Sequence, residues 1–292
     1  MGTIVVGVDG SDGSAHALRW AVREAGHRGW VVRAVLAWGF LDQHHAHLGD
    51  AFDPDYTSED ASEALRAYLV EALGAEEASS VERLVLSDLP ARALVSASDG
   101  AQLLVVGARG LGGFRGLLLG SVSQRCLHQA LCPVAVIRPE ETEAPVNVPP
   151  RVVVGVDGSP AARHALTWAA DEARARQATL EVVHAWQPPF IGGFPFTAST
   201  VDFSLFEDSA HELLETVLDE VDTSGLEGPI ERTIVCTGAA SALLEAAHRA
   251  HVVVLGARGL GGVQRFLLGS VSHQVALHAT RPVVVVPTHA TD

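Results

Sequence analysis

The chain has 292 residues, enough for two domains of ordinary size, and its net charge of −15 argues against a general binder of nucleic acid or anionic membranes. No apolar run approaches the roughly 18 residues of a membrane span, and the N-terminus lacks the basic segment of a signal peptide. Three cysteines without a CxxC pair argue against a disulfide framework or a zinc site and are typical of a cytoplasmic protein.

Apolar strands alternate with helices through the first half of the chain. The first strand is an almost continuous β-branched run, which is typical of a strand buried on both faces. This alternation predicts an α/β fold with a parallel sheet between helices, whose ligand binds beyond the carboxyl ends of the strands. In chain order, the sequence predicts strand 3–8, helix 14–27, strand 30–37, an acidic amphipathic helix from about 58 to 78, strand 81–86, helix 91–98, strand 103–106, helix 121–131 and strand 134–137.

The second half of the chain repeats the first at an offset of 148 residues, which becomes 149 near the end. IVVGVDGS at 4–11 matches VVVGVDGS at 152–159, and CPVAVI at 132–137 matches RPVVVV at 281–286. A repeat of this length is a whole domain rather than a solenoid unit. The strands predicted in this half lie near 152–156, 179–185, 230–236, 252–255 and 283–286.

The segment between the copies, RPEETEAPVNVPP, is rich in proline and acidic residues and lacks apolar periodicity. Such a composition is typical of a linker. The sequence therefore predicts a first domain over residues 1–138, a linker over 139–150 and a second domain over 151–292.

A glycine-spaced motif occurs once in each copy. It reads GARGLGGFRGLLLGSVS from Gly107 to Ser123 and GARGLGGVQRFLLGSVS from Gly256 to Ser272. Each motif follows an apolar strand and precedes a helix, so its backbone N–H groups and the helix N-terminus together can hold an anion. The chain contains no lysine, so a cation beside that anion must be an arginine, a metal or a helix dipole. The motifs predict one phosphate-bearing ligand per copy.

Serines and aspartates accompany both glycine motifs. Ser121 and Ser270 are predicted N-caps of the helices that follow, and the serines two residues further on could face the same ligand. Asp9 and Asp157 end the first strand of each copy and are followed by Gly-Ser. Each aspartate could contact a nucleoside, or could form a turn whose serine caps the next helix. Their recurrence beside both glycine motifs favours the first interpretation.

Other polar residues give weaker indications. Arg109 and Arg258 lie inside the glycine motifs and could hold a phosphate or project into solvent. His44, His45 and His47 form an HHxH cluster that could bind a metal, but the second copy lacks it, which favours a solvated loop. No nucleophile, base and orienting group occur in a known pattern, so no catalytic residue is predicted. Packing roles are expected for Cys126, Cys132, Trp20 and Trp168.

The VDGS strand ends and the Gly-x2-Gly-x9-Gly-Ser loops resemble the universal stress protein family in its tandem two-domain form, over nearly the whole chain outside the linker. The spacing is that of the ATP-binding subclass. The resemblance implies two doubly wound domains, each with five parallel strands in the order 3-2-1-4-5. It also implies one ATP with a divalent cation, Mg²⁺, per domain. Pairing through the last strands would make the chain an intramolecular pseudo-dimer, with a homo-oligomer as the other form of assembly.

The resemblance also assigns site residues by position. Asp9 and Asp157 would contact the adenosine, and the backbone near Ala37 and Ala185 would recognise the adenine edge. The ribose and phosphates would be held in the first domain by Gly107, Gly110, Gly120, Ser121 and Ser123, and in the second by Gly256, Gly259, Gly269, Ser270 and Ser272.

One position departs from the family pattern. The family commonly has a glycine before the third helix, which the second domain keeps as Gly238, whereas the first has Leu89. Because this position lies near the implied adenine pocket, the two sites are expected to differ.

Three functions stay open on the sequence alone. The first is a nucleotide-binding regulator that acts through an unidentified protein partner in stress or growth arrest. The second is a slow Mg²⁺-dependent ATP hydrolase or autophosphorylating enzyme, since positioning and a metal supply much of phosphoryl-transfer catalysis. The third is a binder of another adenine ligand, such as AMP or a cyclic nucleotide, because fold alone does not fix function.

Overall fold

The computed structural model describes residues 2–38, 56–111, 118–138, 149–187, 204–259 and 268–288. The HHxH cluster at 44–47 and most of the predicted linker lie outside these residues. The domain boundaries at 138 and 151 therefore stay a prediction.

The first half of the chain folds as alternating strands and helices, as predicted. All five predicted strands of this half are confirmed to within one residue at each end, while the acidic helix is split at Gly74, which has a φ of 84°. The elements are β1 (Thr3–Val8), α1 (Asp12–Arg28), β2 (Val31–Trp38), α2 (Ser58–Leu73), α3 (Ala75–Ser79), β3 (Glu82–Ser87), α4 (Pro90–Ala97), β4 (Leu103–Gly107), α5 (Ser121–Gln129) and β5 (Val134–Ile137).

The second half repeats this order without a counterpart of the short helix α3 among the described residues. Its elements are β6 (Arg151–Gly155), α6 (Pro160–Arg176), β7 (Thr179–Trp186), α7 (Ser204–Asp219), β8 (Ile230–Cys236), α8 (Ala239–Ala247), β9 (Val252–Gly256), α9 (Ser270–His278) and β10 (Val283–Val286).

All ten strands form one sheet in the order β3-β2-β1-β4-β5-β10-β9-β6-β7-β8. Each half therefore has the order 3-2-1-4-5 that the family resemblance implies, with parallel neighbours. The halves join where β5 and β10 pair antiparallel, with Val283 opposite Val136 and Val285 opposite Val134. The chain is thus a pseudo-dimer built through its last strands.

Apolar layers cover both faces of the sheet. One layer contains α1 and α6 and buries Trp20, which is 5% exposed, with Trp168 packed at its margin. The other contains Cys126 and Cys132, and burial raises the pKa of Cys126 to about 12. The predicted packing roles of these residues are confirmed. Within the described ranges, no helix is both long and apolar enough to cross a bilayer.

The C-caps of α1 and α6 both have the left-handed conformation, but one is a glycine and the other is not. Substitutions at these two positions therefore measure how much a side chain in this conformation lowers the free energy of unfolding. Gly29 ends α1 with a φ of 64°, and the exposed Gln177 ends α6 with a φ of 52°. Because side chains are strained in this conformation, Gln177→Gly should raise the free energy of unfolding by about 0.5–1 kcal/mol. Gly29→Gln should lower it by a similar amount. Denaturant unfolding measures both, and a lower stability of Gln177→Gly would contradict the expectation.

Candidate functional site

An aspartate carboxylate connects the two loops that meet where the strand order reverses. In the first domain, Asp9 Oδ1 accepts from the backbone N–H of Ser11 (3.1 Å) and from its hydroxyl (2.6 Å). Asp9 Oδ2 accepts from the N–H of Leu111, beyond β4, at 3.1 Å. In the second domain, Asp157 Oδ1 accepts from the N–H of Ser159 at 3.0 Å. Both aspartates therefore order the turn after the first strand, and in the first domain the carboxylate joins that turn to the glycine loop.

The glycine loop approaches this carboxylate so closely that no side chain fits between them. A Cβ on Gly110 would overlap Asp9 Oδ2, and a Cβ on Gly259 would overlap Asp157 Oδ2. The second glycine of each motif is therefore required for space, which explains its recurrence in both copies.

The helices that follow the aspartate turns and those that follow the glycine loops have different N-caps. Ser11 and Ser159 are the N-caps of α1 and α6, and their hydroxyls accept from Ser14 N–H and Ala162 N–H. Helices α5 and α9 instead begin after glycine N-caps, and no side chain of the described residues caps either one. Within the described part of the chain, their first-turn N–H groups therefore have no side-chain partner and can donate to a ligand or water.

The predicted N-caps Ser121 and Ser270 are wrong by one position, because Gly120 and Gly269 hold the cap. The N–H of Gly120 donates to the carbonyl of Ala108 at 2.7 Å, and Gly269 makes the same bond to Ala257. This closure of the loop fixes the glycine in the extended cap conformation. It moves the serine into the first helical position, where it is exposed.

The serines two residues further on face inward. The Ser123 hydroxyl donates to the carbonyl of Gly107 at 2.7 Å, and the Ser272 hydroxyl donates to Gly256 at 2.6 Å. Both side chains are buried. In this structure they fasten the helix to the end of the neighbouring strand.

The arginines of the two motifs lie in different surroundings. Arg109 is exposed, whereas Arg258 is half-buried and its buried Nε has no hydrogen-bond partner among the described residues. A buried guanidinium donor without a partner is unusual and would be satisfied by an anion.

The positions assigned to adenine recognition lie at the carboxyl ends of β2 and β7. Ala37 pairs with Leu86, and Ala185 with Val235, in the last part of each ladder. Both alanines are followed by a tryptophan that contacts an aromatic ring: Trp38 lies 6.0 Å from Tyr56, and Trp186 lies 6.2 Å from Phe206, between ring centroids.

The leucine that departs from the family pattern leaves the backbone unchanged. Leu89 caps α4 with φ −63° and ψ 134°, and Gly238 caps α8 with φ −66° and ψ 133°. Neither position requires glycine, so the difference between the sites is the exposed Leu89 side chain itself.

The comparisons with known proteins agree with this architecture. The model of the universal stress protein family matches residues 1–138 and 150–287. The chain belongs to the universal stress protein family. Universal stress protein Rv2005c of Mycobacterium tuberculosis is 34% identical over 290 residues, covering 97% of this chain and 96% of that protein. A universal stress protein of Mycolicibacterium smegmatis is equally similar, at 34% over 290 residues, with 97% and 96% covered. A universal stress protein from Archaeoglobus fulgidus shares the fold, with a TM-score of 0.67, 21% identity and 98% of both chains covered.

Two side chains that the sequence did not single out support the aspartate turns of this universal stress protein. The Tyr68 hydroxyl lies 2.6 Å from Ser14 Oγ and donates to the Ser11 carbonyl at 2.9 Å. In the second domain, His184 Nδ1 donates to the carbonyl of Val156 at 2.9 Å. Neither residue has a counterpart of its own type in the other copy, so the repeat gave no signal for them.

The overlap at the glycine loop predicts a specific coupling between Asp9 and Gly110. Gly110→Ala should cost about 1–3 kcal/mol of stability, because the methyl group forces the loop away from the carboxylate. In an Asp9→Ala background the same substitution should cost less, since the overlapping oxygen is gone. A double-mutant cycle by denaturant unfolding measures the difference, with Gly26→Ala, which has open space around it, as the control. If the two substitutions change the free energy of unfolding additively, the predicted overlap between Gly110 and Asp9 is contradicted.

Proposed function

We propose that this universal stress protein binds one ATP with Mg²⁺ in each domain and acts as a nucleotide-dependent regulator of a cytoplasmic stress response. The sites lie at the carboxyl ends of β1 and β4, and of β6 and β9. The names of the relatives support the stress-response part of the proposal, and the repeated geometry of the sites supports the nucleotide part.

The observation that carries the proposal is that no side chain among the described residues caps the start of α5 or of α9. Each start follows a glycine loop that leaves no space for a side chain beside the aspartate. First-turn N–H groups and the helix dipole favour a phosphate, and the nearby carboxylate can accept from ribose hydroxyls or an amino group. The same combination occurs in both domains, which favours a shared ligand class.

The cation would come largely with the nucleotide. Among the described residues, no group of three His, Cys, Asp or Glu side chains could hold a metal. Mg²⁺ commonly binds to substrate phosphates and water with only one or two protein ligands, so this finding is compatible with Mg²⁺–ATP. In the second domain, the buried Nε of Arg258 is a further donor for a phosphate oxygen.

Isothermal titration of nucleotide-free protein with Mg²⁺–ATP tests the proposal. We expect two ATP per chain, falling to one in Asp9→Ala and to one in Asp157→Ala. Loss of a hydrogen-bonded charge should weaken each altered site about 10- to 100-fold. Chromatography of nucleotide released from the denatured protein identifies what is bound after purification.

Gly26→Ala is the control for a substitution in the first domain outside the site, since Gly26 lies on α1 with nothing within 4 Å of the added methyl group. It should keep both sites. Saturable binding of AMP or a cyclic nucleotide in preference to ATP would support the proposed site but identify a different ligand. Absence of any adenine nucleotide binding would refute the proposal.

Exposed hydroxyls on Ser121 and Ser270 favour one alternative, slow ATP hydrolysis or autophosphorylation. Both side chains lie at the first helical position, directly after the glycine N-caps and beside the expected phosphates. If they take part, the double variant Ser121→Ala with Ser270→Ala should lose Mg²⁺-dependent ADP release and phosphate incorporation while still binding ATP. Unchanged turnover in the double variant would exclude these hydroxyls.

A further inference from the structure

One arginine side chain joins the glycine loop of the first half to a helix of the second half. Arg138 directly follows β5, where the two halves of the sheet meet. Its Nη1 donates to the carbonyl of Leu118 at 3.2 Å, and its Nη2 donates to the carbonyl of Ala276 at 2.9 Å. Nη2 also donates to the carbonyl of Leu277. The guanidinium therefore bridges two segments that belong to different halves of the chain.

Both ends of this bridge belong to elements of the candidate sites. Leu118 lies two residues before Gly120, the N-cap of α5, and the side chain between them, Leu119, is buried. Ala276 and Leu277 lie in the last turn of α9, whose first turn belongs to the candidate site of the second half. Arg138 thus holds the segment that leads into the helix of the first site against the far end of the helix of the second site.

The carbonyls that Arg138 binds on α9 favour a cation. The last four carbonyls of an α-helix have no N–H partner within the helix, and they carry the negative end of the helix dipole. A guanidinium has five donors in a rigid planar fork, so it can bind these carbonyls and a carbonyl of another segment at the same time. The Leu118 carbonyl is therefore held by a side chain that is itself fixed on α9.

The second half has no arginine at the equivalent position. RPVVVV at 281–286 matches CPVAVI at 132–137, so Pro287 corresponds to Arg138. A proline side chain has no hydrogen-bond donor. The loop closure is nevertheless the same in both halves, because Gly120 and Gly269 each donate to an alanine carbonyl at 2.7 Å. The halves therefore share the closed loop, but the arginine bridge can support it only in the first half.

We propose that Arg138 is a positioning residue for the first candidate site, through which α9 of the second half fixes the loop that receives the phosphates; this inference rests on the proposed function. Arg138 acts on the ligand through the loop. It keeps Leu118, and with it the N-cap Gly120, in place, so that the first-turn N–H groups of α5 are ordered before the nucleotide arrives. Donors that are already ordered bind more tightly, because less conformational freedom is lost on binding. The second site, which has Pro287, does not depend on this residue.

Titration of the full chain with Mg²⁺–ATP in two backgrounds measures each site by itself. Asp157→Ala leaves the first site intact, and Asp9→Ala leaves the second. We expect Arg138→Ala to weaken ATP binding about 10-fold in the Asp157→Ala protein, as for the loss of a hydrogen bond to a charged group, and by less than about twofold in the Asp9→Ala protein. Equal weakening of both sites, or of neither, would overturn the proposal.

Two further variants separate positioning from charge. Arg66→Ala removes an exposed arginine of the first half that pairs with Glu63 on its own helix, so it should leave ATP binding at both sites unchanged. Arg138→Lys keeps the positive charge, but a lysine ammonium lacks the planar fork and should restore only part of the affinity. Full restoration by lysine would mean that the charge alone attracts ATP, and the positioning role would be refuted.

Amide hydrogen exchange of the nucleotide-free protein tests the loop without any ligand. In Arg138→Ala, the N–H of Gly120 should exchange faster, whereas the N–H of Gly269 should keep its rate and serve as the internal control. Unchanged exchange at Gly120 would refute the inference even if both sites bind ATP. If the unmodified protein binds no ATP, the proposed function fails, and faster exchange at Gly120 would still support the ordering of the loop by Arg138.

Discussion

The antiparallel pairing of β5 with β10 is the contact on which the rest of the molecule depends. It continues two parallel sheets into one and reverses the strand direction at the junction. The strands of the two halves therefore run in opposite directions, and their carboxyl ends point to opposite ends of the sheet. The two candidate sites lie at these opposite ends. The same pairing brings α1 and α6 onto one face, where their last turns meet.

This arrangement gives α1 and α6 two roles each. The N-terminal cap of each helix, Ser11 or Ser159, belongs to the aspartate turn of its own site. The C-terminal half of each helix carries a glutamate and an arginine into a buried cluster of ion pairs between the domains, made by Glu24, Arg28, Glu172 and Arg176. Positive charge near a helix C-terminus is favourable in itself, but burial makes the carboxylate partners indispensable. Each helix thus links one candidate site to the domain interface as a single rigid element.

The sequence predicted what depends on short-range patterns. Continuous β-branched runs placed the strands, and the repeat placed both glycine loops at equivalent strand ends. The predicted N-caps of α5 and α9 were wrong by one residue. The reason is a hydrogen bond from the N–H of Gly120 to the carbonyl of Ala108, twelve residues earlier, which no local sequence pattern shows. The buried ion pairs between α1 and α6 were also not foreseen. Glu24 and Arg28 have the i, i+4 spacing of an ordinary surface pair, and only the pairing of the domains buries them.

The two sites have similar backbone conformations but are supported by different side chains. In the first domain, Tyr68 and Ser14 hold the aspartate turn through hydroxyls. In the second, the equivalent turn is held by His184, and Leu213 packs beside Gly158. The groups that would face a phosphate are backbone N–H groups in both domains, and these are positioned alike. If the proposed function holds, we expect the class of ligand to depend on the shared backbone and its affinity to depend on the supporting side chains, which differ between the two domains.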